Sequence, residues 1–255
     1  MRDESIPVAR LHPVAPYEPS PVPYSSGNRL LDALPAEERA QVAGALSVVS
    51  IRAHQTTHAI GRIMTFVDFP IDAVLSVVAT LKNGDTVEVG TVGRESFVES
   101  EAALESALSS RTAFCQVQGR VGRMSIASFD ERMETSSVFA RFMHHNVRAV
   151  LFNAQQCAVC NLKHSVLQRC ARWLAMTADR VGRPEFTLTH DFLAIMLGVR
   201  RAGVSEAANA LHERGAISYR RGVVSILDAG ILEDAACECY AACKTSFATS
   251  LLALN

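Results

Sequence analysis

The chain lacks a charged-then-apolar leader with a small-residue cleavage site, and it lacks an uninterrupted apolar run long enough to span a bilayer. The expectation is a cytoplasmic protein with no membrane partner. It also lacks a nucleophile elbow, a P-loop glycine pattern, a His-Glu-x-x-His motif and a carboxylate pair in a recognisable setting. No enzyme is expected, and no catalytic residue is assigned. Strong charge is missing too: the net charge is −1, so the chain as a whole carries no basic signature. A disulfide framework is not expected, because the seven cysteines are an odd count in a leaderless chain.

What is present is unevenly distributed. Residues 1–160 hold fourteen Lys/Arg against seventeen Asp/Glu, net −3, whereas residues 161–228 hold ten against six, net +4. A mildly basic part behind a mildly acidic one suits a binding module attached to a control module. The 255 residues are enough for one large domain or two ordinary ones.

Residues 1–27 are expected to be a tail, because Pro7, Pro13, Pro16, Pro19, Pro21 and Pro23 interrupt any regular element. A helix is expected after Pro35, with Glu37 and Glu38 close behind. Short apolar runs then alternate with turn residues: Ile60–Phe69, Ala73–Leu81, Thr86–Val92, Ala113–Val117 and Val121–Ile126. Lys82-Asn83-Gly84-Asp85 between two of them predicts a hairpin, since Asn-Gly tolerates positive φ. This predicts an antiparallel roll over residues 28–135. A short helix at Phe129–Glu134 and a long one over residues 136–160 follow. The long helix puts Phe139, Phe142, Met143, Val147, Val150, Leu151 and Ala154 on one broad side, and pairing with a second copy is expected there. The fold class is α+β: roll, long helix, then a C-terminal helical domain over residues 161–240, with residues 241–255 as a second tail.

The most informative stretch is 189-THDFLAIMLGVRRAGVSEAANALHERGAISYRRGVVSILD-228. Thr189 is placed to cap a helix and is also expected to contact DNA, Gly198 permits a sharp turn, and Val204, Ala207, Ala208 and Leu211 mark the buried side of a second helix. Arg200 and Arg201 stand where that helix begins, an unfavourable end for cations unless a partner supplies the counter-charge. Arg200, Arg201, Ser205, Glu206 and Asn209 point outward, the layout of a helix-turn-helix whose second helix enters the major groove of double-stranded DNA. Arginine reads guanine O6/N7, and serine contacts phosphate or base. The alternating residues 217–226 predict a two-stranded wing whose tip carries Arg220 and Arg221.

The order of tail, roll, long helix, hinge and winged helix-turn-helix resembles the Crp/Fnr family of bacterial transcription regulators. The matching stretches are 66-FVDFPIDAVLSVV-78, 82-KNGDTVEVGTVGRESFV-98, 157-CAVCNLKHSVLQRCARWL-174 and the stretch just quoted. The resemblance implies a cyclic-nucleotide-binding-type roll, a homodimer along the long helix, a near-palindromic operator and RNA polymerase as a further partner. It implies that Arg201 reads a base and that Arg200 touches phosphate. The glutamate and second arginine that many members use are here Ala202 and Glu206, so the operator is expected to differ, with Glu206 accepting from a cytosine or restraining Arg201.

The same resemblance directs attention to a ligand pocket at Phe97, Val98, Glu99, Arg111 and Thr112. Members that bind cyclic AMP carry Gly-Glu after an aromatic or aliphatic pair, and this chain has Glu99-Ser100. Glycine allows close backbone approach to a phosphate, and a carboxylate there repels it. No standard cyclic-AMP site and no cofactor are expected. Arg111 is expected to pair with Glu95, Glu99 or Glu101.

Cys157-x-x-Cys160 and the group Cys237, Cys239, Cys243 are weighed separately for metal or redox roles. Cys157 and Cys160 read as packing residues, no metal is assigned, and the second group near a tail is the better thiol sensor. His54 and His58 read as surface residues and Trp173 as core. A second function class, a ligand or redox sensor with DNA contact secondary, stays open beside the regulator.

Overall fold

The computed structural model describes residues 26–252, so nearly all of the proline-rich run lies outside the described residues. Asn28 caps α1 (Arg29–Asp32) by accepting from the N–H groups of Leu30 and Leu31. Its side-chain amide donates to the carbonyls of Pro70 and Ser96, both at 2.9 Å, tying the helix to the roll. Pro35 stands at the N-cap of α2 (Ala36–Ala45), with Glu37 and Glu38 in the first turn, where the helix dipole favours them.

The roll follows as β1 (Leu46–Ile51), β2 (Thr56–His58), β3 (Phe66–Pro70), β4 (Val74–Thr80), β5 (Thr86–Val92), β6 (Thr112–Val117) and β7 (Gly119–Ser125). The strands make two antiparallel sheets, β1-β7-β3 and β2-β6-β4-β5. The Asn83-Gly84 hairpin forms as expected: Leu81 N–H donates to the Asp85 carbonyl at 2.8 Å, and Gly84 sits at φ 91°. The run expected to begin at Ile60 is extended only from Phe66. Gly61 at φ 73° turns the chain, leaving Ile60 and Ile63 exposed.

Strand alternation sorts the apolar side chains into layers. Ile51, Leu75, Ala113, Cys115 and Val121 form the core inside the roll. Val67, Phe69 and Met124 face the other way and pack with Leu30, Leu31, Phe97 and the aromatic residues of α3 (Ile126–Thr135) and α4 (Ser137–Lys163). The long helix is therefore about 40 Å in length and runs past Cys160, where the sequence reading ended it. No Pro or Gly stands at 161–163, and the break comes at His164, whose backbone is extended.

Next come α5 (Val166–Val181), β8 (Glu185–Thr187), α6 (His190–Leu197), α7 (Arg201–Glu213), β9 (Ile217–Arg220), β10 (Val223–Ile226), α8 (Ala229–Ala235) and α9 (Cys239–Leu252). The wing sheet is three-stranded, in the order β8-β10-β9, because β8 joins the expected pair. Residues 241–252, expected as part of a tail, belong to α9. Cys239, Cys243, Phe247 and Ser250 recur at helical spacing and are buried, with α9 packed along α4.

The C-terminal domain docks directly on the roll. Val74 and Val78 of β4 and Val117 of β6 share a core with Cys170, Trp173 and Leu174 of α5. Polar contacts reinforce this seam. The Trp173 indole N–H donates to Glu88 at 2.9 Å, and Arg180 Nε lies 2.6 Å from Glu95 Oε1. Trp173 is core as expected, and it also joins two domains.

Candidate DNA-binding surface and roll pocket

The helix-turn-helix is built by local chemistry. The Thr189 hydroxyl accepts from the Phe192 N–H at 3.2 Å, which commits it to capping α6. Gly198 ends α6 at φ 62°, and the Val199 N–H closes the turn on the Ala194 carbonyl at 2.9 Å. Val204, Ala207, Ala208 and Leu211 fix the inner face of α7, which leaves Arg201, Glu206 and Asn209 exposed. Arg200 holds the N-cap position, is exposed, and no side chain caps α7.

Two expectations about this surface are corrected. Arg201 is restrained by Asp191, Nε to Oδ1 at 3.1 Å, and not by Glu206. Both partners are about two-thirds exposed (67% and 64%), so the pair holds little energy and is readily exchanged. Ser205 is half-buried, and its Oγ lies 3.0 Å from His190 Nδ1. The His190 ring packs on Tyr219 at 4.4 Å, and Tyr219 donates to the Leu188 carbonyl at 2.8 Å. Ser205 therefore belongs to the joint that fixes α6, α7 and the wing together. Burial and the nearby Arg201 charge hold His190 below its ordinary pKa. At the wing tip, Arg221 (φ 51°) and Gly222 (φ 78°) make a two-residue hairpin of the kind that matches strand twist. Arg220 and Arg221 are both exposed.

The roll contains a cavity of about 300 Å³. Val92, Phe97 and Val98 line it from the roll, Val150 and Ala154 from α4, and Phe247 from α9. Glu99 and Arg111 also reach it, whereas Thr112 is absent from its lining and accepts from the Ile60 N–H at 3.3 Å. Arg111 is exposed and donates to the Ser110 carbonyl at 2.8 Å. None of its three expected carboxylate partners holds it: Glu95 takes Arg180, Glu99 takes His58, and Glu101 accepts from Ser110 at 2.6 Å.

His58 is the clearest miss of the sequence reading. It is buried inside the roll at 6% exposure, with Nδ1 3.1 Å from Glu99 Oε1 and Nε2 3.3 Å from Asp68 Oδ2. Asp68 in turn accepts two bonds from Arg123, at 2.7 and 2.8 Å, and the guanidinium lies 3.6 Å over the Phe66 ring. Burial opposes a charge on His58, but Asp68 and Glu99 outweigh it and hold the imidazole above its ordinary pKa. Burial likewise opposes a charged Asp68, and His58 and Arg123 outweigh it and hold the carboxyl below its ordinary value. With His58 protonated, two carboxylates and two cations make a neutral buried quartet. Glu99 itself sits at φ 66°. The only sequence signal was the spacing of polar residues inside apolar runs, and nothing local pairs them.

The residues expected to pair two copies divide between two environments. Phe139, Phe142 and Met143 are at most 1% exposed in the chain's own core, and Val147 and Val150 are half-buried. Only Leu151 and Ala154 are exposed, and they are joined by the exposed apolar residues Phe152, Val159 and Leu162. The cysteines also regroup. Cys237, Cys239 and Cys243 are buried, the last two on α9 itself, and Cys160 packs with Cys237 and Cys239.

Residues 168–235 match the family described as the Crp-like helix-turn-helix domain. Among solved structures, FixK2 from Bradyrhizobium japonicum is similar with a TM-score of 0.63 at 14% identity, over 75% of this chain and 98% of that one. A CRP-family transcriptional regulator from Thermus thermophilus has a TM-score of 0.61 at 19% identity, over 74% and 96%. The c-di-GMP-responsive global regulator CLP of Xanthomonas campestris has a TM-score of 0.60 at 14% identity, over 76% and 100%. No curated protein sequence matches the chain. The chain thus shares the fold of these solved transcription regulators, and its residues 168–235 form a Crp-like helix-turn-helix domain.

Proposed function

We propose that the chain is a homodimeric, sequence-specific DNA-binding regulator whose activity does not depend on cyclic AMP. The observation that carries this reading is the set of exposed cations at the start of α7 and the wing tip, on elements locked together through Ser205, His190 and Tyr219. In a major groove, Arg201 exchanges its solvent-exposed partner Asp191 for guanine O6/N7, a better-shaped acceptor for a planar fork. Arg200 and the wing arginines take phosphates, which position the protein without reading sequence. Glu206 and Asn209, exposed further along α7, meet base edges where Arg201 does not reach.

A second copy covers the apolar stripe Leu151, Phe152, Val159 and Leu162, whose exposures of 57%, 37%, 48% and 82% are unusual for large apolar side chains. Two recognition helices then face successive major grooves, about one helical turn apart. RNA polymerase is the further partner of such a regulator.

Cyclic-AMP independence rests on Glu99. It occupies a left-handed position on the pocket wall, and its carboxylate is engaged by His58 and Ser109. Val77, Val92, Phe97, Val98, Val150 and Phe247 make much of the remaining wall apolar, beside the polar Thr91, Ser110, Arg111 and Asn153. A different effector with an apolar body fits this wall better than a sugar phosphate. The same cavity favours the second reading, a ligand sensor with DNA contact secondary.

The test is selection of ligand-free protein against a random DNA pool at fixed salt. A palindromic motif is expected, unchanged by added cyclic AMP. Arg201→Ala is expected to cost ~1–3 kcal/mol on that site and to relax one base position. Unchanged specificity in that variant overturns the assignment of α7, and no enriched motif moves the weight to the sensor reading.

A further inference from the structure

Three thiols and an imidazole meet where α4 ends beneath the C-terminal helices. Cys160 lies in the last turn of α4 and His164 caps that helix, so their four-residue spacing puts both on one face. Cys237 and Cys239 come from the link between α8 and the start of α9. One donor atom from each of the four residues lies within 4.8 Å of all the others. Cys160 Sγ is 3.4 Å from Cys237 Sγ, and Cys239 Sγ is 3.6 Å from His164 Nδ1. The three cysteines are at most 4% exposed.

We propose that Cys160, His164, Cys237 and Cys239 bind a single zinc ion that clamps the end of α4 to the segment leaving the winged helix-turn-helix. Three cysteines and one histidine are a closed structural donor set for tetrahedral zinc. Zinc–sulfur bonds of ~2.3 Å correspond to sulfurs about 3.8 Å apart, close to the spacing already present. The surroundings fit as well. His164 turns Nε2 to Glu238 Oε1 at 3.3 Å, which leaves Nδ1 free to face the sulfurs. A carboxylate on the far ring nitrogen is the usual support of a zinc-bound histidine. The Gln156 amide donates to Cys239 Sγ at 3.1 Å.

On binding, three thiols release their protons to solvent and the neutral imidazole gives its lone pair, so the site carries one negative charge. Arg172, itself 5% exposed, stands close enough for its charge to act on Cys160. The compactness suits one ion, because a multi-iron cluster holds its thiolates farther apart. Cys157 and Cys243 stay outside the set: their sulfurs approach Asn153 Oδ1 at 3.7 and 3.2 Å. The clamp spans the joint between α4 and α5, so the ion sets how the DNA-binding domain sits on the long helix.

The experiment uses the whole protein, purified under reducing conditions, with metal content measured by mass spectrometry. About one zinc per chain is expected for a closed site of this kind. Replacement by Co2+ is expected to give the visible bands of a tetrahedral ion together with thiolate charge transfer. Cys237→Ser and Cys239→Ser are expected to lose the ion, and Cys157→Ser and Cys243→Ser to keep it. X-ray absorption at the zinc edge of the unaltered protein reads the ligand count even if a variant fails to fold, and three sulfurs with one nitrogen are expected. The proposal is overturned if the reduced protein binds neither zinc nor cobalt. It is equally overturned by a Cys160–Cys237 disulfide in the freshly isolated chain, by a different ligand count, or by loss of the ion in Cys157→Ser.

Discussion

Replacing His58 with Gln removes one positive charge from the buried quartet while keeping a hydrogen-bonding side chain of similar reach. Glu99, Asp68 and Arg123 then carry a net negative charge inside the roll, where His58, Glu99 and Asp68 have side-chain exposures of only 4%, 5% and 0%. Removing one partner of a buried ion pair costs about 3–5 kcal/mol, because the remaining charge stays buried and uncompensated. For a chain of this size that corresponds to roughly 6–20 °C in unfolding temperature. The pH dependence has a definite sign. His58 is held above its ordinary pKa, so its contribution is complete below about pH 6.5 and fades as pH rises through the raised value. Asp68 is held below its ordinary value, so its contribution is complete above about pH 4 and fades as pH falls through the depressed one. Thermal unfolding followed by circular dichroism, at about pH 6 and again at mildly alkaline pH, reads the His58 effect, because the Asp68 contribution is complete at both. The wild-type chain is expected to lose stability between the two, and His58→Gln to be less stable at the lower pH and to lack most of the difference. Adding Glu99→Gln restores neutrality and is expected to recover part of the loss. An unchanged unfolding temperature for His58→Gln at the lower pH would show that the quartet is not held by charge.

Arg221→Ala is expected to weaken binding to all DNA sequences about equally and to lower the salt slope by ~1, as a phosphate contact requires; a change confined to one sequence would refute the role assigned to the wing. Leu151→Glu combined with Leu162→Glu touches only exposed positions, so the fold is expected to survive while the dimer separates. Sedimentation velocity checks this, and a dimer that persists would move the pairing surface off the second half of α4.

Local chemistry made the DNA-binding elements legible. Thr189, Gly198 and the inward set Val204, Ala207, Ala208 and Leu211 are neighbours along the chain, and capping, positive φ and helical period act over a few residues. The same holds for the Asn83-Gly84 hairpin and the positive-φ turn at Arg221-Gly222. The pairing face of the long helix was less legible. Periodicity shows that Phe139, Phe142, Met143 and Leu151 are apolar on a shared side, but it says nothing of what covers each one. The chain's own roll takes the first three, and only the later residues stay open.

The order of elements, the helix-turn-helix and the cations at its exposed end could all be read from the chain alone, because each follows from residues within a turn or two of one another. Which distant groups meet was settled by packing. Asp68 is 10 residues from His58 and on another strand, Glu99 lies much farther along the chain, and Cys160 and Cys237 are 77 residues apart. No propensity or period encodes such meetings; they arise when packing of the sheets and of α9 against α4 brings separated segments together. Once burial has removed water, a buried charge or thiol takes its character from the neighbours that packing provides.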